Sequence, residues 1–175
     1  LQALRDELGP KAAKLALIVA DAGDEAALKK LCAQTRVVIS TVGPYALFGE
    51  PLVKVCAENG VDHCDLTGEV PWISRMIARY EGAAKKSGAR IVHCCGFDSI
   101  PSDLGVLFLQ REAQKRFGQP CTTVKMRVKA VAGAASGGTV ASVINIVKEA
   151  AQDPALRKEL ANPYSVCPPR HGFTA

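Results

Sequence analysis

Arg36-Val-Val-Ile-Ser-Thr41, stopped at once by Val42-Gly43-Pro44, is the stretch whose reading decides the fold. β-Branched residues fill it and a Gly-Pro pair ends it, which is how a short strand runs into a turn. A helix is predicted from about Pro51, since proline is tolerated in a first turn, with Leu52, Val53 and Cys56 on one face and Asn59-Gly60 as its stop. Upstream, Leu15-Ala-Leu-Ile-Val-Ala20 is a continuous apolar run, the pattern of a strand buried on both faces. Asp24 can cap a helix carrying Ala27, Leu28, Leu31 and Cys32. Downstream, Val61 to Leu66 reads as a weaker strand. Trp72 to Ser87 is the clearest helix, with Ile73, Met76, Ile77, Tyr80, Ala83 and Ala84 at spacings of three and four. Arg90-Ile-Val-His-Cys-Cys95 is a further strand, and Ser102 to Arg116 a mostly buried helix around Leu104, Val106, Leu107 and Phe108. Strands alternating with helices through short connections imply a parallel sheet covered on both faces, a doubly wound α/β domain.

After Gly118 the texture changes. Cys121 to Ala132 sets Val124, Met126, Val128 and Ala130 against Lys125, Arg127 and Lys129, the alternation of a strand with one wet face. Ser136-Gly-Gly-Thr139 leads into a helix to about Gln152, and Asp153-Pro154 starts a shorter one before a tail from Asn162. Residues 1–118 are therefore expected to form the α/β domain and residues 119–175 the beginning of an α+β domain. The opening, Leu1 to Leu8, is helical by composition and stops at Gly9-Pro10. A start in mid-helix without Met suggests a piece of a longer polypeptide.

Composition narrows the function. The 175 residues are 48% hydrophobic and 22% charged, the balance of a globular protein rather than a disordered or fibrous one. The net charge of +5 is spread without a long basic run, so nucleic acid is not an expected partner. Seven cysteines without a CxxC pair or secretion signal read as reduced and intracellular, hence cytoplasmic. His63-Cys64 and His93-Cys94-Cys95 lack a second ligand pair at finger spacing, so they read as core residues and no metal is expected. The longest uncharged stretch, Ala130 to Val147, is diluted by Gly, Ser, Thr and Asn, and no membrane span is expected.

In an open parallel sheet, ligands bind beyond the carboxyl ends of the strands. The segments there are Asp21-Ala-Gly23, Thr41-Val-Gly-Pro-Tyr45, Asp65-Leu-Thr-Gly-Glu69 and Cys95-Gly-Phe-Asp-Ser99. A dinucleotide fold also needs a Gly-rich turn between its first strand and helix, to hold a pyrophosphate on amide N–H groups. No GxGxxG is present. A Rossmann-type reading therefore places the first strand, that turn and the first helix upstream of Leu1.

Val37-Val-Ile-Ser-Thr-Val-Gly-Pro-Tyr45 with Gly49-Glu-Pro-Leu-Val53, Asp65-Leu-Thr-Gly-Glu69 and Cys95-Gly-Phe-Asp-Ser-Ile-Pro-Ser-Asp-Leu-Gly105 together resemble the saccharopine dehydrogenase-like oxidoreductases. Ser136-Gly-Gly-Thr139 fits the bacterial branch, which includes trans-acting enoyl reductases. The resemblance implies a Rossmann domain binding NADP or NAD, completed by an α+β domain. It places Asp21 and Ala22 near the adenine, Thr41, Val42, Gly43, Pro44 and Tyr45 along the nicotinamide half, and Gly68 and Glu69 on the far wall. A reductase must protonate the carbanion or enolate left by hydride transfer, and Tyr45 is the first candidate donor. Asp98 and Ser99 are the second, although Ser99 with Asp103 also suits a helix start. Glu69 can equally be a solvated turn residue, and His93 a core histidine.

The leading expectation is thus an NAD(P)-dependent oxidoreductase acting on an enoyl, imine or carbonyl group of a lipid-type or small-molecule substrate. The alternative is a non-catalytic dinucleotide-binding scaffold, which would allow peripheral attachment at the plasma membrane. An interrupted sheet leaves a strand edge open, which invites pairing into a homodimer.

Overall fold

The computed structural model describes residues 1–133 and 135–168. Its centre is a parallel sheet of three strands in the order of the chain: β1 (Val37–Ser40), β2 (Asp62–Asp65) and β3 (Ile91–Val92). Val37 pairs with Asp62 and Ser40 with Asp65, and His63 and Cys64 pair in turn with Ile91 and Val92. The helices are α1 (Gln2–Glu7), α2 (Glu25–Cys32), α3 (Tyr45–Phe48), α4 (Glu50–Asn59), α5 (Val70–Ser87), α6 (Ile100–Phe117), α7 (Gly137–Gln152) and α8 (Pro154–Ala161). Three parallel strands in one open sheet with helices between them make an incomplete Rossmann-type α/β fold.

The local signals account for the element boundaries. Asp24 accepts hydrogen bonds from the N–H groups of Ala26 and Ala27 and starts α2. An aspartate cap of this kind contributes about 1 kcal/mol. Gly60 and Gly88 end α4 and α5 in the left-handed conformation, at φ 72° and 82°. The core lies between the sheet and α4–α5. Val55, Cys56 and Val61 pack with Leu28 and Cys32 of α2, while Tyr45, Val53, Trp72, Ile73 and Met76 form a second cluster. All seven cysteines are free thiols, and the buried sulfurs of Cys32 and Cys56 approach to 3.8 Å. Burial pushes both thiols up in pKa, so they pack rather than react.

Four expectations are corrected. Residues 15–20 form no strand. They pair with no neighbour among the described residues, and Leu15, Ile18 and Val19 are exposed rather than buried. Residues 121–132 likewise form no strand, because none of the described residues pairs with them and their alternation therefore has no ladder to serve. Among the described residues, helices cover one face of the sheet. Right-handed crossovers between sequential neighbours put α4 and α5 on the same side, and Ile39 on the other side is 71% exposed. Finally, α6 is not a buried helix. Leu104, Val106, Leu107 and Phe108 are all exposed, and Ala113 is its buried residue.

Candidate functional site

The segments that follow the three strands converge as the sheet rule requires. The β1 segment makes a cis Gly43–Pro44 bond and enters α3, whose first residue is Tyr45. The β2 segment, residues 66–69, leads into α5, and the β3 segment, residues 93–99, leads into α6. Together with α7 they enclose a cavity of about 210 Å³ lined by Thr41, Gly43, Tyr45, Gly68, Glu69 and Asp98, with Ser136, which caps α7, and Ser142 of α7. A second cavity, of about 220 Å³, lies on the other side of Thr41. Ala22, Val42 and Thr41 line it, with Ile18, Leu28 and Leu52.

Most of the expected site residues are thus brought together, split between two neighbouring cavities that share Thr41. Three are not in either lining. Asp21 is exposed and accepts the N–H of Gly23 at 2.8 Å, a local turn. Pro44 precedes α3, and Ser99 precedes α6. Ser99 holds the N-cap position of α6, as the helix-start reading has it, but its side chain makes no cap bond. Asp103 does sit in the first turn of α6, where the helix dipole favours a carboxylate.

Tyr45 is 5% exposed. Its hydroxyl donates to the Ser40 carbonyl at 3.0 Å and accepts from the Leu66 N–H at 3.4 Å. Burial raises its pKa, the Leu66 bond opposes this, and the nearby carboxylates of Asp65 and Glu69 raise it further, so the phenol keeps its proton.

Glu69 is not a solvated turn residue. It is 2% exposed, and both its oxygens are occupied. Oε1 accepts the Tyr45 N–H at 2.8 Å and the Ser142 hydroxyl at 2.7 Å, while Oε2 accepts the Ala46 N–H at 2.8 Å. The carboxylate therefore satisfies the orphan N–H groups at the start of α3 and ties α7 to the wall.

Sequence reading missed a second buried carboxylate. Asp65 ends β2 between His63 and His93, and all three face the covered side of the sheet, where a polar residue needs a partner. The alternation His63-x-Asp65 along a strand is the signal that marks them. Burial works against ionisation of Asp65, but hydrogen bonds from His63 and His93 outweigh it and hold the carboxyl well below the usual range. Its stabilising contribution is therefore present above the unfolded-state pKa and is lost only as pH falls through the depressed folded-state value.

For a dinucleotide, the residues present leave room at Gly68. Gly68 has no heavy atom within 4 Å of where a Cβ would stand, leaving open space for a flat ring against its backbone. A Gly-rich turn for the pyrophosphate is absent from the sequence.

Comparison with known proteins identifies the family. Residues 1–92 match the family model of the saccharopine dehydrogenase NADP binding domain. A Mycobacterium tuberculosis protein provisionally named a trans-acting enoyl reductase is 41% identical over 168 residues, 96% of this chain and 40% of the relative. The trans-acting enoyl reductase of Mycobacterium ulcerans is 40% identical over 167 residues, 95% of this chain and 40% of its own length. The Mycobacterium bovis enzyme of the same name is 41% identical over 167 residues, with the same two shares. The chain thus spans about two fifths of the length of these relatives. No solved structure matches it significantly. With a parallel sheet, two cavities beyond its strand ends and a family model covering more than half of its length, this chain belongs to the saccharopine dehydrogenase NADP-binding domain family.

Proposed function

We propose that this chain carries the cofactor-binding part of an NADP-dependent reductase that acts on the conjugated C=C bond of an enoyl group. The observation that carries this reading is the cavity of about 210 Å³, where segments following all three strands meet α7. Residues 1–118 supply the sheet and the first walls, and residues 119–175 begin the domain that closes over them, since Ser142 of α7 already bonds to Glu69. Bound NADPH supplies a hydride for the carbon β to the carbonyl. The protein orients the two ends through Thr41, Gly43 and Gly68, with Ala22 on the adenine side; Val42, expected along the nicotinamide half, lines the Ala22 cavity instead. It also supplies the proton for the α carbon.

Tyr45 and Asp98 are the candidates for that proton because both line the cavity. The raised pKa of Tyr45 suits a donor that stays protonated until the enolate forms. Its hydroxyl would first have to leave the Ser40 carbonyl. No helix is long and apolar enough to cross a membrane among the described residues.

The test is loss of NADPH absorbance when a 2-butenoyl thioester is added to the protein extended at its N-terminus through a Gly-rich turn. Consumption of NADPH matched by saturated product is the expected result. Cofactor that binds but is not consumed with any enoyl, imine or carbonyl substrate would replace the reductase with a dinucleotide-binding scaffold.

A further inference from the structure

Asp65 has no part in the scheme above, yet it is 1% exposed and its two oxygens hold different parts of the molecule. Oδ1 accepts the backbone N–H of Thr67 at 3.2 Å and that of Cys94 at 3.3 Å. Oδ2 lies 3.1 Å from Nε2 of His63 and 2.6 Å from Nδ1 of His93. The Asp65 carbonyl also accepts the Cys95 N–H at 2.6 Å. Thr67 belongs to the segment that follows β2, and Cys94 and Cys95 to the segment that follows β3. One residue therefore sets the distance between two walls of the cavity.

The backbone at Cys94 gives this arrangement a purpose. Cys94 has φ 60°, and it is the non-glycine residue that adopts a left-handed conformation among the described residues. Such a backbone persists only where its surroundings over-determine it. Here the chain turns sharply out of β3 toward Gly96 and Asp98, and the N–H at the turn is the one that Asp65 holds. Gly96 is pressed against the other wall, since a Cβ there would stand 3.1 Å from Cβ of Leu66. Releasing the turn would therefore shift Asp98 relative to residues 66–69.

His63, Asp65 and His93 also place donor atoms within 4.8 Å of one another, a set whose chemistry suits a transition metal. Two observations favour the hydrogen-bonded network. A separation of 2.6 Å between His93 and Asp65 is that of a charge-assisted hydrogen bond, closer than two ligands sit around an ion. The remaining nitrogen of His63, Nδ1, is buried with no acceptor, whereas metal-bound imidazoles donate their other N–H to a partner. An unpartnered Nδ1 is cheapest as a lone pair, so His63 donates to Asp65 from Nε2.

We propose that Asp65 is a positioning residue for this site: it holds the left-handed turn at Cys94 and thereby fixes the wall carrying Asp98 against residues 66–69. His63 and His93 hold the carboxylate in place. The inference rests on reading the cavity as the cofactor site, and its test separates the two. Asp65→Asn places an amide NH₂ where Oδ2 accepts from two imidazoles, so the clamp loosens while the volume is kept. Cys94→Gly allows the left-handed turn without a clamp.

In titrations with NADPH of the N-terminally extended protein, Asp65→Asn is expected to weaken binding roughly tenfold, and Asp65→Asn with Cys94→Gly to recover it to within about threefold. Thermal stability should stay low in the double variant, because the histidines remain unpaired. A purely structural role predicts no recovery of binding. Where Asp65→Asn does not fold, His93→Asn keeps the carboxylate and removes one support, with a loss of about threefold expected. Hydrogen exchange of the Thr67, Cys94 and Cys95 amides reads the clamp without cofactor, and faster exchange in either single variant is expected. Unchanged exchange, or unchanged NADPH affinity in a variant of a wild-type protein that binds, overturns the inference. A wild type that binds no NADPH while the amides respond overturns only the cofactor reading.

Discussion

Glu69→Ala is expected to lower the unfolding free energy by about 3 kcal/mol, which for a chain of this size means a fall in Tm of roughly 6–12 °C. The substitution removes the acceptor for the N–H groups of Tyr45 and Ala46, both held at 2.8 Å, and for the Ser142 hydroxyl at 2.7 Å. A buried donor left without an acceptor costs about 1–3 kcal/mol. The Ser142 hydroxyl is only half-buried and can turn to water, so the two backbone donors carry most of the loss. Glu69→Gln keeps one carbonyl oxygen and presents an NH₂ to one of those donors, so its effect should be about half as large. Thermal unfolding of the three proteins checks this. A change of less than about 0.5 kcal/mol in Glu69→Ala would mean that the start of α3 is held by something else.

Gly49→Ala is expected to destabilise by about 2 kcal/mol through overpacking alone. Gly49 has φ −83°, which any residue adopts, and it joins α3 to α4. A Cβ there would stand 2.7 Å from Cζ2 of Trp72 and 2.9 Å from the Tyr45 carbonyl oxygen. Neither can withdraw freely: Trp72 is buried among Tyr45, Val53, Ile73 and Met76, and the carbonyl is backbone. Gly82, in the middle of α5, is the control, because a Cβ there meets nothing within 4 Å. Gly82→Ala should therefore stabilise by about 0.5–1 kcal/mol, the usual gain in a helix interior. Urea denaturation of both variants tests the pair, and equal shifts in the two would contradict the packing described around Trp72.

The elements that local chemistry dictates were legible. The Val37–Ser40 run, the Asp24 cap and the left-handed glycines at the ends of α4 and α5 each act within a few residues, so the one-dimensional pattern contains them. The apolar run at residues 15–20 carries the same local signal as β1 but forms no strand, because a strand exists only through a neighbour. The alternation at residues 121–132 fails for the same reason. The apolar face of α6 misled in the other direction, since hydrophobicity records what a helix could bury and not what lies beside it.

In the site, Thr41, Gly43, Tyr45, Gly68 and Asp98 could be named from their places after strands and from the family resemblance. The roles of the carboxylates could not. Glu69 acts on residues 23 and 24 positions earlier and on α7, 73 positions later. Asp65 acts across the register that sets β2 beside β3. Such partners depend on the fold as a whole.

The central claim is that the cavities flanking Thr41 receive the two ends of NADPH. Isothermal calorimetry of NADPH against the chain, and against a form extended at its N-terminus through a Gly-rich turn, tests it most directly. Saturable binding by the extended form, weakened or lost without the extension, is the predicted result; no binding by either form would contradict the account.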